Sequence, residues 1–222
     1  MKIVIPRGFM RKGTRIRIGP KAIGGAPQGE GASADEKQPI KHSAPTLIES
    51  LQGEDPYVRS VSAEVLGQLQ EKSAVPALIQ SLKDPSAVVR SKAALALGKI
   101  GKHAAVEPLI DALNDEVEEV RVTAAGVLGH LKDRQAVPGL IMALSDSSPL
   151  TRMKAAIALG LIADAKAVLP LFNLLNDTNE MVRKYACESL GHIGKPAIPA
   201  LLMALKNEKV RAHAAQALMR IT

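Results

Sequence analysis

The sequence contains one thiol, Cys187, which is the strongest nucleophile among its side chains. A catalytic cysteine needs a base within hydrogen-bonding distance and access to solvent. Cys187 instead occupies a column of small residues that recurs along the chain, in which Ala94, Ala125 and Ala156 hold equivalent places. Because a buried free cysteine behaves as a small apolar residue, we expect Cys187 to have a packing role, and we expect no catalytic residue in this chain.

The five histidines show no spacing that is typical of a metal site. His130 and His192 hold equivalent positions two periods of the repeat apart, which is about 20 Å at the ~10 Å spacing of packed helices. A single metal ion cannot bridge that distance, because its ligands lie about 2 Å from it. We therefore expect neither a metal nor a cofactor.

Arginines recur with a period of 31 residues, and a glycine follows each of the first five after eight residues. The arginines are Arg59, Arg90, Arg121, Arg152 and Arg183, with Arg211 after a shorter step, and the glycines are Gly67, Gly98, Gly129, Gly160 and Gly191. Such a row could bind anions, but an aspartate stands six residues before each of four arginines. A fixed period of this size predicts a solenoid, in which each unit packs only on its neighbours.

Each period contains the patterns of two helices. The first has apolar residues at i, i+3, i+4 and i+7, as in Val137-Leu140-Ile141-Leu144, which is the core stripe of an amphipathic helix. A short turn with an aspartate follows, and the second helix begins near the arginine. The sequence therefore predicts an all-α fold, an α-solenoid of about six helix pairs that forms a repeat domain over residues 43–222.

The repeat unit resembles the short HEAT-like repeat named after the phycobilisome lyases. One half of that motif is present as Ala136-Val137-Pro138 followed by Leu140-Ile141, and the other as Val89-Arg90 followed by Ala93-Ala94 and Ala96-Leu97-Gly98. The resemblance covers residues 43–222. It implies a ladder between successive turns, made by Asp84 and Arg90, Asp115 and Arg121, Asp146 and Arg152, and Asp177 and Arg183. The turns before Arg59 and Arg211 are shorter, so we expect the ladder to fray at both ends.

Positions in the second helix are numbered here from the arginine, and equivalent positions of successive repeats form a column. A rotation of about 100° per residue places each column on one side of the helix. Positions −1, +3, +6, +7 and +10 are almost uniformly Val, Ala, Leu or Ile and predict the core. The small residues at +4 and the glycine at +8 predict the contact with the next repeat. Positions −2, +2, +5 and +9 lie opposite the core, and their residues differ from one repeat to the next. Such variation is typical of the recognition surface of a solenoid, which we expect on its concave side. These four columns are termed the inner face.

The fourth and fifth repeats contribute most of the apolar residues that we expect on the inner face. An exposed apolar patch rimmed by charge usually marks a partner site, so we expect a protein partner to bind there. The predicted contact residues are Leu150, Lys154, Ile157, Leu161, Met181, Tyr185, Glu188 and His192. Two alternatives are that the N-terminal segment covers this patch, or that the superhelical twist buries it.

Residues 1–42 differ in composition from the repeats. They contain nine Lys or Arg and three Asp or Glu, a net charge of +6 out of +7 for the whole chain. The basic residues of the first part are Arg7, Arg11, Lys12, Arg15 and Arg17, with Lys2 and Lys21 beside them. We expect a basic, Gly- and Pro-rich segment and linker. It either binds an anionic partner such as RNA or an acidic protein, or serves only as a solubilising leader.

The sequence thus favours a non-enzymatic scaffold that binds a protein partner on its concave face. The alternative that the resemblance implies is a bilin lyase-type or phycobilisome-associated accessory subunit. The apolar inner face of repeats four and five would then hold the chromophore, with Lys154, His192 or Arg220 near its propionates. Nucleic-acid association through residues 1–42 is a weaker alternative, because stacking aromatic residues are scarce. A single cysteine, no secretory signal and no apolar run of about 20 residues predict a cytoplasmic protein without a transmembrane segment.

Overall fold

The computed structural model describes residues 43–101 and 103–221, and these form only helices and turns. The predicted basic segment, including Arg7 to Arg17, lies outside the described residues. Twelve α-helices follow one another within these described residues: α1 Ser43–Ser50, α2 Pro56–Gln68, α3 Val75–Ser81, α4 Ala87–Ile100, α5 Val106–Asp111, α6 Glu118–Leu131, α7 Val137–Ala143, α8 Pro149–Ile162, α9 Val168–Asn173, α10 Glu180–Ile193, α11 Ile198–Ala204 and α12 Arg211–Met219. They form six pairs, and this confirms the predicted α-solenoid. Each helix in the described part is too short or too polar to cross a membrane.

The first helix of each pair is short, with six to eight residues. From the second pair onwards a single 3₁₀ turn precedes it, and in α3, α7 and α11 a proline stands in the first turn. Proline suits this place because the N–H groups of the first turn have no acceptor within the helix, so a residue without an N–H loses no hydrogen bond there. One leucine in each short helix from α3 to α11, such as Leu109 or Leu140, is fully buried.

The second helix is longer and has defined ends. Ser148 Oγ accepts hydrogen bonds from the backbone N–H groups of Leu150 and Thr151 at the start of α8, and Asn179 caps α10 in the same way. Such caps satisfy donors that the first turn leaves free. Left-handed residues end α4 and α8, at Gly101 with φ 70° and Ala163 with φ 56°. The four long helices α4, α6, α8 and α10 have 14 residues each, which keeps the columns of successive repeats in register, whereas α12 has nine.

In α4, α6, α8 and α10 the core columns are buried as predicted from the sequence, except that Leu131 is half-buried. In α2, Val58 at −1 and Leu69 at +10 are 43% and 40% exposed. Positions +3 and +7 of α4, α6, α8 and α10 are fully buried, as are the alanines and Cys187 at position +4. The glycines at +8 pack against the next repeat: a Cβ built on Gly129 would lie 2.8 Å from Ala158 Cα, and one on Gly160 would lie 2.8 Å from Ser189 Cα. Real Cβ atoms do not approach so closely, so glycine permits the separation of these helices.

The two helical layers differ in how tightly they pack. Successive long helices contact one another extensively, whereas successive short helices meet at few positions. Between the short helices, grooves open beside Ile110 and Met142 and beside Ile79 and Pro108. Because a stack curves towards its more tightly packed layer, we infer that the long helices line the concave side. The inner face lies on this layer.

Arginines and aspartates join successive repeats through four rungs. In each rung the arginine donates from Nε and Nη2 to both carboxylate oxygens of an aspartate 25 residues later, at 2.7–3.2 Å. The rungs join Arg59 to Asp84, Arg90 to Asp115, Arg121 to Asp146 and Arg152 to Asp177. The aspartate and arginine of one repeat meet differently: Nη1 donates to the aspartate backbone carbonyl, as Arg90 does to Asp84 at 2.9 Å. The side-chain pairs therefore cross from one repeat to the next.

The expectation that the ladder frays at both ends is wrong at the N-terminal end, where Arg59 binds Asp84. At the other end Arg183 donates to two backbone carbonyls, and its buried Nε has no partner among the described residues. Asn207 stands where the next aspartate would be, and its Oδ1 accepts from the Lys209 N–H as the aspartates do in their turns. Its amide nitrogen offers no acceptor to Arg183, so the fifth rung is missing.

Candidate functional site

Exposed apolar side chains recur on the inner face. In the fourth and fifth repeats, Leu150 and Met181 are 44% and 46% exposed. Comparable exposure also occurs at Val88 and Leu95 in the second repeat and at Tyr57 in the first. The apolar inner face therefore extends over more repeats than the sequence pattern suggested.

The other predicted contact residues of repeats four and five have mixed surroundings. Ile157, Leu161 and Tyr185 are half-buried, as are Lys154 and Glu188, and His192 is exposed. The Leu161 side chain leans onto α6, where its Cδ1 lies 3.4 Å from the Cβ position of Gly129. The Lys184 ammonium lies 5.6 Å from the centre of the Tyr185 ring. These side chains are therefore partly engaged in packing between the helices.

A concavity on the inner face lies earlier in the chain than the predicted contact residues, across α4, α6 and α8. It is a groove of about 500 Å³ with mainly apolar walls. Its lining comprises Leu95, Gly98, Lys99, Val122, Thr123, Gly126, Val127, His130 and Lys154. Of the predicted contact residues, Lys154 alone lines this groove. It is termed the α6 groove.

The α6 groove exists because Gly126 occupies position +5, which holds Leu95 in the preceding repeat and Ile157 in the following one. A Cβ built on Gly126 would meet no described atom within 4 Å. One helical turn away, Thr123 is fixed by a 3.2 Å hydrogen bond between its hydroxyl and that of Ser91. The missing side chain opens the bottom of the groove, and its sides are held by packing between the repeats.

The rim of the α6 groove is basic. Lys99, His130 and Lys154 come from three successive long helices. His130 Nδ1 lies 2.9 Å from the Gly126 carbonyl oxygen, so Nδ1–H donates and Nε2 is left for another partner. Lys92, close by, is paired with Glu64 at 2.6 Å, and this hydrogen bond is the main reason that the pKa of Glu64 is lowered. Lys99 and Lys154 form no salt bridge with a carboxylate of the described residues.

The side chains with catalytic potential do not form a reaction centre in the described residues. Cys187 is fully buried, and its burial, with a smaller contribution from Glu188, raises the pKa of the thiol to about 12. Within residues 43–101 and 103–221, no three His, Cys, Asp or Glu side chains come together as a metal site. The arginine row is occupied by aspartates and backbone carbonyls. The interactions that the groove offers are apolar contact and positive charge.

Comparison with solved structures gives the same architecture. The chain is similar to a structure of the complex of CpcE and CpcF of phycocyanin lyase from Nostoc sp. PCC7120, with 27% identity, a TM-score of 0.62, and coverage of 88% of this chain and 82% of that one. A designed armadillo repeat protein in complex with the peptide (KR)4 matches with 22% identity, a TM-score of 0.60, and coverage of 81% and 99%. An engineered protein matches with 22% identity, a TM-score of 0.57, and coverage of 81% and 96%. Among curated proteins, no sequence matches this chain.

The family model for HEAT repeats matches three overlapping stretches, residues 44–121, 106–172 and 137–219. Together they include all twelve helices except Ser43 at the start of α1. The helix pairs, the glycine contacts and the arginine ladder are the physical basis of that match. The chain belongs to the HEAT repeat family.

Proposed function

We propose that this chain is a non-enzymatic scaffold that binds a protein partner on its inner face. The observation that carries this proposal is the contrast between columns of the same helices. Packing columns hold similar residue types in each repeat and are almost entirely buried in α4, α6, α8 and α10, whereas inner-face columns differ between repeats and expose Val88, Leu95, Leu150 and Met181. A solenoid needs only its packing columns for stability, so its variable surface is free to recognise a partner. Apolar side chains exposed beside charged ones favour a protein surface as that partner.

Photo-crosslinking tests this proposal. Benzoylphenylalanine is placed singly at Leu95 or Leu150 on the inner face, and at Met142 or Leu169 on the short helices, all of which are exposed. Irradiation in native extract, followed by mass spectrometry, is expected to join the same protein to both inner positions and not to the two outer ones. Crosslinks at the outer positions alone, or at none, would refute the proposal.

A second candidate is a bilin lyase-type accessory role. The observation that favours it is the 27% identity to the phycocyanin lyase complex over most of both chains. An apolar groove with Lys99 and Lys154 at its rim also has the chemistry to hold a tetrapyrrole and its propionates. The test is a titration of the chain with phycocyanobilin. A red-shifted visible band that is lost in Gly126→Leu supports this role, and a spectrum equal to that of the free pigment excludes it.

A further inference from the structure

Gly126 has no structural reason to be a glycine. It lies in the interior of α6, and no positive φ is recorded for it, unlike Gly101 and Gly194. Gly98 and Gly129 differ from it as well, because a Cβ at either would lie within 3 Å of the next repeat, whereas a Cβ at Gly126 would meet open space. A glycine inside a helix destabilises it by roughly 0.5–1 kcal/mol relative to alanine. What this glycine provides is an open groove.

The walls of the α6 groove suit an apolar side chain. Leu95, Val122 and Val127 surround the space over Gly126, and Leu95 is 43% exposed. A volume of about 500 Å³ falls within the ~300–1,000 Å³ of ordinary ligand sites. It is large enough for one bulky aliphatic or aromatic side chain together with its flanking backbone. Burial of such a side chain contributes free energy in proportion to the apolar area removed from water.

The charge on the rim selects among peptides. Lys99 and Lys154 stand on the helices to either side of Gly126, and His130 lies between them on α6. The carboxylate of Glu64, whose pKa Lys92 and to a smaller extent Lys99 lower, is already hydrogen-bonded to Lys92. A carboxylate beside the apolar anchor would meet two ammonium groups without a described salt-bridge partner. A basic segment would meet repulsion at the same place, which is how charge sets specificity at an interface.

We propose that the α6 groove binds an acidic peptide segment, with one bulky apolar side chain over Gly126 and carboxylates against Lys99 and Lys154. This inference rests on the proposed scaffold function and names the class of partner for it. The bound segment belongs to another protein, because residues 1–42 of this chain carry a net charge of +6 and do not match an acidic ligand. The Nε2 of His130 adds a polar contact that a peptide backbone or carboxylate is able to use.

Selection from a random dodecapeptide display library on the immobilised full chain tests this inference. The enriched peptides are expected to carry a Leu, Ile, Phe or Met next to Asp or Glu. Enrichment of basic or uncharged peptides, or no enrichment over a blank support, would overturn the proposal. The best peptide is then synthesised with a fluorescent label, and its affinity for variants of the full chain is measured by anisotropy.

Two groove variants have matched controls. Gly126→Leu fills the groove, and Gln216→Leu introduces the same residue at position +5 of the last repeat, where Gln216 is exposed. Lys99→Glu with Lys154→Glu reverses the rim, and Lys206→Glu with Lys83→Glu reverses two exposed lysines elsewhere. We expect each groove variant to weaken binding at least tenfold and each control to change it less than twofold. Gly126→Ala, which has room for its methyl group, serves as a second filling variant if the leucine disturbs the fold.

The outcomes separate this inference from the scaffold function. Equal affinity of the selected peptide for the parent and for Gly126→Leu would show that it binds elsewhere, and the groove proposal would fall. If the crosslinks at Leu95 and Leu150 persist in that case, the scaffold function stands without the groove. If those crosslinks are absent as well, both proposals fall.

Discussion

Arg90 holds Asp115 of the following repeat through two parallel hydrogen bonds, from Nε to Oδ2 at 2.7 Å and from Nη2 to Oδ1 at 2.8 Å. Arg90 is buried, and the same carboxylate accepts the backbone N–H of Val117 at 2.9 Å. A bidentate pair of this kind fixes both distance and orientation. It therefore sets the relative positions of α4 and α6, which form two walls of the α6 groove.

Asp115→Ala should destabilise the chain by about 3 kcal/mol, because it leaves a buried guanidinium without its carboxylate. The neighbouring Glu116 is a matched control: its side chain is 82% exposed and lies 3.4 Å from Arg90 Nη2. Exposed ion pairs contribute little, so Glu116→Ala should cost less than about 1 kcal/mol. Urea unfolding followed by circular dichroism measures both, and equal losses for the two variants would contradict the structural role of the rung.

The ladder also predicts a loss of stability in acid. Burial disfavours the charged form of Asp84, Asp115 and Asp177, but the hydrogen bonds from arginine and backbone outweigh it, so the pKa of each is lowered from 3.8. In acid the folded state then binds fewer protons than the unfolded state. The stabilisation is complete above the pKa that these aspartates have in the unfolded chain, and it is lost as the pH falls through their lower pKa in the folded chain. The urea midpoint should stay nearly constant from pH 7 to about 5 and fall below about pH 4. A midpoint that does not change down to pH 2 would show that these pairs contribute nothing.

Two glycines of α6 should respond oppositely to alanine. Gly129→Ala places a methyl group 2.8 Å from Ala158 Cα, so α6 and α8 must separate, and such overpacking costs about 1–3 kcal/mol. Gly126→Ala meets open space and should stabilise α6 by roughly 0.5–1 kcal/mol. The measurement is the urea midpoint of each variant against the parent. Destabilisation by Gly126→Ala would mean that this position packs against something other than solvent.

Cys187 should be inert in the folded chain. Its burial raises the pKa of the thiol to about 12, so almost no thiolate is present at pH 8, and thiolate is the reactive form. We expect iodoacetamide to label it only after unfolding in urea, as measured by mass spectrometry. Labelling of the native chain within minutes at pH 8 would refute the assignment of Cys187 to the core.

The period of 31 residues was sufficient to predict the helix pairs, the core columns and the glycine contacts, because each depends on neighbours at fixed spacing. The partners in the ladder were harder to predict. An aspartate that lies six residues before the arginine of its own repeat also lies 25 residues after the arginine of the preceding repeat. The spacing alone does not show which of these two arginines the aspartate binds. For that reason the pairing of Arg59 with Asp84 was missed.

The α6 groove was missed for a different reason. Gly126 occupies position +5, one of the variable columns of the inner face, but the sequence does not show whether the space over a glycine is empty or filled by the next repeat. The separation and tilt of α4, α6 and α8 decide this, and they also explain why Ile157 is half-buried while Leu95 is exposed. The sequence feature that could have indicated the groove is a glycine in the interior of a helix at a position outside the packing columns.

The central claim, that the inner face binds the partner, is tested most directly by the affinity of the crosslinked partner for two matched double variants. Leu95→Asp with Met181→Asp changes two exposed residues of the inner face, and Met142→Asp with Leu169→Asp changes two exposed residues of the short helices. Both variants add the same charge and should keep the parent circular dichroism spectrum. Loss of an interface hot spot costs about 2 kcal/mol or more, so isothermal titration should show at least a thirtyfold weaker Kd for the inner variant and less than a threefold change for the outer one. Unchanged affinity of the inner variant, with a large loss for the outer one, would contradict the account and place the binding surface on the short helices.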